Sequence, residues 1–188
     1  MTKSIDLKKE PGKRRNRAVG KFTQALTLVC GFLLLHIATS CSDPNRIYER
    51  NVDFSNNLWL ADSIAEFEFE IADTRKRYNL HYNVRNSISY PYHNLYVQYT
   101  LEDSLGNTLS KALQNMDLFD PVTGRPLGEG LGDIFDHRIL AIADQQFPKQ
   151  GWYRFKVQQF MRQDSLPLIM SMGLRVEIAG NEEPLEEN

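Results

Sequence analysis

Cys41 is the residue whose chemistry the sequence defines best. It follows an apolar run at residues 25–38, whose 14 residues are fewer than the ~20 that a membrane-spanning helix needs and are typical of a secretory signal. The small residues Ala38, Thr39 and Ser40 then precede the cysteine. This order predicts a lipoprotein signal that is removed before Cys41, whose thiolate takes a diacylglyceryl group. The alternatives are an ordinary cleaved signal or an uncleaved anchor, with Cys41 incidental.

The charge distribution divides the chain at the same point. Residues 1–40 carry eight basic and two acidic residues, a net charge of +6, whereas the remainder carries 14 basic and 22 acidic residues, a net charge of −8. Nucleic acid is not expected as a partner, because binding to its phosphates requires clustered Lys and Arg. Cys30 lies within the signal, so Cys41 is the only cysteine of the mature chain and the domain must fold without a disulfide.

A second candidate site is the segment 117–136, in which four glycines and two prolines interrupt the surrounding pattern. Long ordered loops without secondary structure are more often binding loops than filler, so we predict an interaction site here. Its acidic residues could also bind Ca²⁺, but their spacing matches no EF-hand, and we predict no metal. The residues assigned to this interaction loop are Asp117, Phe119, Asp120, Gly124, Gly128, Gly130, Gly132 and Asp133.

Motifs for catalysis or cofactor binding are not found in the sequence. The glycines of the loop are not followed by Gly-Lys-Ser/Thr, so they do not form a phosphate loop. His81, His93 and His137 show no zinc-binding spacing, and there is no Gly-x-Ser-x-Gly elbow for a serine hydrolase. We therefore predict a protein that is not an enzyme and has no catalytic residues, cofactor or small-molecule substrate.

Aromatic residues form a third candidate site, because several fall on strand positions that alternate with apolar ones. An exposed aromatic row could stack on sugars or dock a protein. Alternatively, both sheet faces are partly covered, or tyrosine is present because it suits strands. The residues assigned to this aromatic surface are Tyr92, Tyr96, Trp152 and Phe160.

The elements that must position these residues are strands, since apolar and polar residues alternate with a period of two. Five segments show the alternation clearly: 64–71, 78–84, 95–101, 153–157 and 170–178. Weaker strands are predicted near 109–118 and 138–142, and the pattern at 139–147 is also compatible with a short helix. We predict an all-β fold, a single antiparallel β-sandwich of Ig-like or jelly-roll-like type with one long Gly/Pro-rich loop.

This interpretation divides the chain into four parts. Residues 1–40 are the signal that is removed, and residues 41–57 are a lipidated, turn-rich tether. Residues 58–178 form the sandwich. The acidic tail at 179–188 has almost nothing to bury and is expected to be disordered.

A family resemblance rests on an ordered series of residues between Asp117 and Glu177. The series is Leu118-Phe119-Asp120-Pro121, Thr123-Gly124-Arg125-Pro126-Leu127-Gly128, Gly130-Leu131-Gly132-Asp133, His137-Arg138, Phe147-Pro148, Gly151-Trp152-Tyr153, Gln159-Phe160-Met161-Arg162, Leu166-Pro167 and Gly173-Leu174-Arg175-Val176-Glu177. Together with Cys41, it resembles the gliding-motility lipoprotein H (GldH) family of Bacteroidota.

The resemblance implies a cell-envelope lipoprotein of the gliding machinery, which is tied to type IX secretion, without assigned catalytic residues. The implied partners are the lipid bilayer, through acylated Cys41, and other envelope proteins. The chain lacks a lysine-plus-acidic cluster directly after Cys41, the pattern that resembles a surface-export signal in these bacteria. The periplasmic face of the outer membrane is therefore favoured, with the inner membrane and the cell surface as alternatives. The alternative function is an envelope glycan- or peptidoglycan-binding module.

Overall fold

The period-two alternation of the sequence appears in the structure as strands with one buried and one exposed face. The computed structural model describes residues 43–180. Its strands are β1 (Arg46–Asp53), β2 (Leu58–Leu60), β3 (Ala65–Ile71), β4 (Tyr78–Ser87), β5 (Asn94–Asp103), β6 (Thr108–Asp117), β7 (Glu129–Leu131), β8 (Ile134–Gln145), β9 (Gly151–Gln159), β10 (Ser165–Pro167) and β11 (Ile169–Ile178). A 3₁₀ turn at Ser55–Asn57 follows β1, and no helix within residues 43–180 is long and apolar enough to cross a membrane.

Two antiparallel sheets form the layers of the sandwich. The first sheet has five strands in the order β1-β11-β4-β8-β7, and the second has four in the order β3-β9-β5-β6. A short ribbon of β10 and β2 accompanies them. Every paired strand runs antiparallel to its neighbour. The predicted all-β antiparallel sandwich is therefore confirmed.

Aromatic and aliphatic side chains from both sheets fill the space between the layers. Phe155 of β9 is fully buried, with its ring stacked on Tyr99 at 5.3 Å and tilted against Tyr82 at 5.9 Å. The hydroxyl of Tyr82 donates to Gln114 Oε1 at 2.7 Å, so burying this tyrosine leaves no unpaired hydroxyl. Gln114 in turn donates to the carbonyl of Ala141 at 2.9 Å, which links β6 to β8 along one side of the sandwich.

The tether prediction for residues 41–57 is wrong over residues 46–53, which form β1 and pair with β11. This strand lies at the edge of its sheet, and its side chains are mostly exposed, with Tyr48 and Val52 half-buried. Backbone hydrogen bonds hold it in place, and they need no alternation in the sequence. The pattern at 139–147 that was compatible with a helix belongs to β8 and its continuation. Residues 1–40, Cys41 and most of the acidic tail lie outside the described residues.

The strand connections gather at two opposite ends of the sandwich. We call one end the base, which contains the connections 72–77, 104–107 and 146–150. Residues 44–45 and 179–180 also lie at the base, where Ile178 donates to the carbonyl of Asn45 at 2.8 Å and Ala179 to that of Arg77 at 2.9 Å. The other end is the tip, which contains the connections 88–93, 118–128, 132–133 and 160–164.

Candidate functional site

The predicted interaction loop lies at the tip, and its irregular part is shorter than the sequence suggests. Asp117 is the last residue of β6, and residues 118–128 form the irregular connection. Gly130 lies in β7, and Gly132 and Asp133 form the turn between β7 and β8. The second half of the segment is therefore a β-hairpin. The sequence does not indicate its first strand, because β7 has only three residues and is too short to show a period of two.

Asp120 organises the loop from within. Its Oδ1 accepts hydrogen bonds from the backbone N–H of Thr123 at 2.7 Å, the hydroxyl of Thr123 at 2.9 Å and the N–H of Val122 at 3.0 Å. The bond from the Thr123 backbone, followed by that from its hydroxyl, lowers the pKa of Asp120 below its ordinary value. Gly124 closes the turn by donating to the Asp120 carbonyl at 2.8 Å, with a φ of 69° that suits glycine. The carboxylate of Asp120 therefore stabilises this turn.

Two buried side chains fix the loop to the core. Leu118 and Phe119 are buried, and both of their N–H groups donate to the carbonyl of His93, at 2.8 and 2.9 Å. Phe119 also forms an isolated bridge with Pro126. Phe119, which the sequence assigned to the interaction surface, is therefore buried and holds the loop on the core.

Among the side chains that the tip presents to solvent, beside charged ones such as Arg125 and Glu129, are several large apolar residues that were not assigned to the predicted interaction loop. Val122 is 90% exposed and Leu131 94% exposed, and three further residues of the same end are also exposed. Ile88 donates its N–H to the carbonyl of Asp133 at 2.8 Å, which joins the connection 88–93 to the hairpin turn. We call these five side chains the tip patch: Ile88, Val122, Leu127, Leu131 and Ile134. Where apolar and polar residues do not alternate, the sequence does not indicate which apolar side chains are exposed.

A groove of about 510 Å³ lies on the outer face of the first sheet and extends to residues 127–129, where this loop ends. Arg85 and Asp136 form a bidentate ion pair at its rim, with N–O distances of 2.7 and 3.0 Å. His137 is buried beside Gly128, and burial lowers the pKa of its imidazole. The groove carries both charges and suits a polar ligand. Within residues 43–180, no three His, Cys, Asp or Glu side chains lie close enough together to hold a metal ion.

An ion network covers the middle of that same outer face. The guanidinium of Arg175 is buried on the face that alternation assigns to solvent, where it contacts Glu177 at 2.7 Å and Glu49 at 3.2 Å. Glu49 also accepts from Asn83 at 2.9 Å and lies 2.7 Å from Arg46. The network links β1, β11 and β4, and all of its charges have partners of opposite sign. It stabilises the sheet and gives no sign of catalysis.

The four residues of the predicted aromatic surface do not come together. Phe160 donates its N–H to the carbonyl of Tyr96 at 2.8 Å, so these two exposed side chains are neighbours near the tip. Trp152 is exposed at the opposite end of β9, near the base. Tyr92 is half-buried, with its ring 5.6 Å from that of Tyr90. A single platform of four rings is therefore not formed.

Comparison with known proteins places the chain in a family. The family described as "GldH lipoprotein" matches residues 46–176. The "Gliding motility lipoprotein GldH homolog" of Christiangramia forsetii is 30% identical over 157 residues, spanning 80% of this chain and 94% of that protein. The "Gliding motility lipoprotein GldH" of Flavobacterium johnsoniae is 28% identical over 160 residues, spanning 78% of this chain and 94% of that protein.

Among solved structures, the "infectious bursal disease virus VP2 subviral particle" is similar over 76% of this chain and 35% of its own, with 15% identity and a TM-score of 0.37, and this similarity carries no argument about function. The family match runs from the first residue of β1 to within two residues of the end of β11, so it covers both layers of the sandwich and the loop at the tip. The chain belongs to the GldH lipoprotein family.

Proposed function

We propose that this protein is a lipid-anchored, non-enzymatic component of the gliding-motility and type IX secretion apparatus of the cell envelope. Cys41 carries the anchor, on the periplasmic face of the outer membrane. The names of the two relatives, which cover most of this chain, support a role in gliding. The signal-like residues before Cys41 support the anchor.

The tip patch carries the proposal, because its side chains are apolar and exposed and two of them, Val122 and Leu127, belong to a pre-organised loop. Asp120 holds the turn that presents Val122, while Leu118 and Phe119 hold the loop on the core. A loop that is already ordered loses little conformational entropy when a partner binds. Exposed apolar side chains on such a loop are typical of a protein-docking surface.

The direction of the strands supports docking at the tip. The chain enters at the base, and the eight residues of β1 then rise by about 3.3 Å each toward the tip. The tip end of β1 therefore lies about 23 Å from Arg46 along the strand. A partner protein reaches this end without contacting the membrane that the anchor occupies.

Two carboxylates close to the tip patch are already engaged by neighbouring groups, and this supports a non-enzymatic role. Asp120 is engaged by the turn, and Asp136 is engaged by Arg85. The hydrogen bonds from Thr123 and Val122 lower the pKa of Asp120, which reduces the affinity for a proton that a general base needs. The exposed apolar side chains of the tip patch suit docking of a protein better than proton transfer.

Photocrosslinking in gliding cells tests the proposal. A photoreactive amino acid is placed at Val122 or Leu131 of the tip, with Leu105 of the base, which is 84% exposed, as the matched control. Both tip positions are expected to capture the same gliding or secretion protein, identified by mass spectrometry, and the base position is not. Capture of lipid alone from the tip, or the same proteins from tip and base, would overturn the proposal.

The rival function, a glycan-binding module, retains one specific observation. Tyr96 and Phe160 are neighbouring exposed rings on the outer face of the second sheet, beside the exposed Leu113 of the adjacent strand. Such a pair can stack on a sugar ring. The rival predicts binding on a glycan array that Phe160→Ala abolishes, whereas docking at the tip predicts no such binding.

A further inference from the structure

We propose that the base of the sandwich rests on the phospholipid bilayer, with Trp152 and Leu105 entering the interface between headgroups and acyl chains. This contact would set the orientation of the domain and point the tip patch away from the membrane. The inference rests on the proposed lipid anchor at Cys41. It assigns a role to Trp152 that differs from the predicted aromatic platform.

The covalent chain brings the base to the membrane. Cys41 precedes Arg46, the first residue of β1, by five residues. An extended chain spans at most about 3.6 Å per residue, so an acyl group on Cys41 lies within about 18 Å of the base. Asn45 is hydrogen-bonded to Ile178 at that end, which fixes where the tether joins the domain.

Trp152 has the chemistry and the exposure that an interfacial residue requires. It is 56% exposed on the outer face of β9, one residue from the connection 146–150. In contrast, Trp59 is fully buried, with its ring stacked on Phe54 and its indole N–H donating to the carbonyl of Ser63. An indole with one apolar and one polar part is stable at the boundary between water and hydrocarbon.

Leu105 stands next to this region on a turn that is already ordered. The Asp103 carboxylate accepts hydrogen bonds from the N–H of Leu105 at 2.9 Å and from the N–H and side-chain amide of Asn107, both at 2.8 Å. Asp103 pairs with Tyr153, the residue that follows Trp152, so the turn lies beside Trp152. The hydrogen bonds that hold this turn do not involve the side chain of Leu105, which is exposed to solvent. Burial of this side chain in a bilayer is favourable.

Three basic side chains also lie in the connections at the base. Lys76, Arg77 and Lys149 are exposed at the base. The carboxylate of Asp73 is engaged by Arg75 at 2.9 Å, which removes one opposing charge. Long basic side chains at this depth reach lipid phosphates while their stems cover apolar surface.

Acidic residues limit how much of the contact is electrostatic. Glu70 pairs with Trp152 across the strands, and four glutamates follow Ala179 in the sequence. These charges oppose an anionic surface. We therefore assign the contact first to Trp152 and Leu105, and only second to the basic side chains.

Fluorescence quenching in a bilayer tests the orientation. The mature chain is coupled through Cys41 to a maleimide lipid in vesicles of phosphatidylethanolamine and phosphatidylglycerol that carry brominated acyl chains. Bromine quenches only tryptophans that reach the acyl region. The variant Trp152→Phe supplies the baseline of the buried Trp59. The matched control adds Phe160→Trp to that variant, because Phe160 is 49% exposed at the tip, directly after the last residue of β9.

We expect strong quenching with the native Trp152 and a baseline signal with Trp152→Phe, whether or not Phe160→Trp is added. Leu105→Asp should reduce the quenching of Trp152 several-fold. It should not change the melting temperature, because the side chains of Leu105 and Trp152 are both exposed. No quenching of Trp152 in protein that floats with the vesicles would overturn the inference. Equal quenching at both ends would overturn it as well, because the domain would then have no fixed orientation.

The result is separable from the proposed anchor. Coupling through the maleimide places a lipid on Cys41 whatever the cell does. If mass spectrometry of protein from cells finds no acyl group on Cys41, the anchor proposal fails while the vesicle result stands. A response of Trp152 fluorescence to glycans, and not to vesicles, would instead make it part of a sugar site.

Discussion

The imidazole of His137 lies directly against Gly128: a Cβ atom built on Gly128 would stand 2.7 Å from Nδ1 and Cε1 of that ring and 2.6 Å from the carbonyl oxygen of Asp136. The loop at the tip therefore crosses β8 at a distance that only glycine allows. Because His137 is buried and part of β8, it cannot move aside easily. This relationship fixes the end of the loop that carries the tip patch.

Replacing Gly128 with alanine should displace the loop. We expect Gly128→Ala to lower the free energy of unfolding by about 1–3 kcal/mol, the usual cost of over-packing, and to change the chemical shifts of residues 126–130. Gly124→Ala is the control, because nothing lies within 4 Å of its Cβ position and its φ of 69° alone opposes alanine. That change should cost about 1–2 kcal/mol with no displacement of His137. Equal effects on His137 in both variants would contradict the close approach.

The centre of the core predicts a large loss on truncation of Phe155. Its ring is fully buried and stacks on Tyr99, so Phe155→Ala should cost about 3–5 kcal/mol in urea denaturation. Trp152→Ala, three positions earlier on the exposed face, should cost less than about 0.5 kcal/mol. A loss below about 1 kcal/mol for Phe155→Ala would show that the strand faces are assigned the wrong way round.

Arg175 should be far more important for stability than an exposed arginine. The variant Arg175→Met leaves Glu49 and Glu177 side by side without their shared cation, and we expect a loss of about 3 kcal/mol. Arg154, which is paired with Glu66 and Glu68 on the exposed face of the second sheet, provides the comparison. Arg154→Met should cost less than about 1 kcal/mol, and salt should reduce that cost further. Similar losses for both arginines would argue against a buried network.

His137 should make the fold sensitive to mild acid. Burial lowers its folded-state pKa below the ordinary value of 6.5, so the unfolded chain binds this proton first as the pH falls. The stabilising contribution is complete above about pH 6.5 and is lost as the pH falls toward the folded-state pKa. Free energies of unfolding measured between neutral and mildly acidic pH should show this slope, and His137→Phe should flatten it.

The same measurement needs a control for a second histidine. Burial also lowers the pKa of His81, although Glu177 opposes that shift. The slope is therefore compared between His81→Gln and the double variant that adds His137→Phe. An unchanged slope in the double variant would show that His137 does not contribute.

The alternation of the sequence was enough to predict which side chains enter the core. In β3, Phe67, Phe69 and Ile71 are buried and the intervening glutamates are exposed, as the period of two requires. The edge strand β1 was missed because its pairing uses backbone groups, and its half-buried Tyr48 and Val52 are too few to show a period. Sequence patterns thus identified the strands that have a buried face. They did not identify β1, which is held mainly by its backbone pairing with β11.

The role of the segment 117–136 as an interaction site stays a prediction, and the directions of its side chains differ from those expected. The glycines and prolines located the loop, yet Phe119 turned inward and the exposed apolar residues came from Val122 and Leu131. Trp152 and Phe160 were assigned to one surface because both fall on or beside polar strand faces, but Trp152 lies near the start of β9 and Phe160 just after its end. The period specifies the face of a strand and gives no distance along it, and the two residues lie at opposite ends.

Docking of an envelope protein at the tip patch is tested most directly by a pair of matched charge substitutions. Leu131→Asp and Leu105→Asp each place a carboxylate at a highly exposed leucine, one at the tip and one at the base, so neither should change the melting temperature. The amount of the partner first identified by crosslinking from Val122 is then measured in purifications from detergent extracts. We predict that Leu131→Asp lowers recovery of that partner at least several-fold while Leu105→Asp, which has no bilayer contact to lose in detergent, leaves it unchanged. Equal recovery with both variants would contradict docking at the tip.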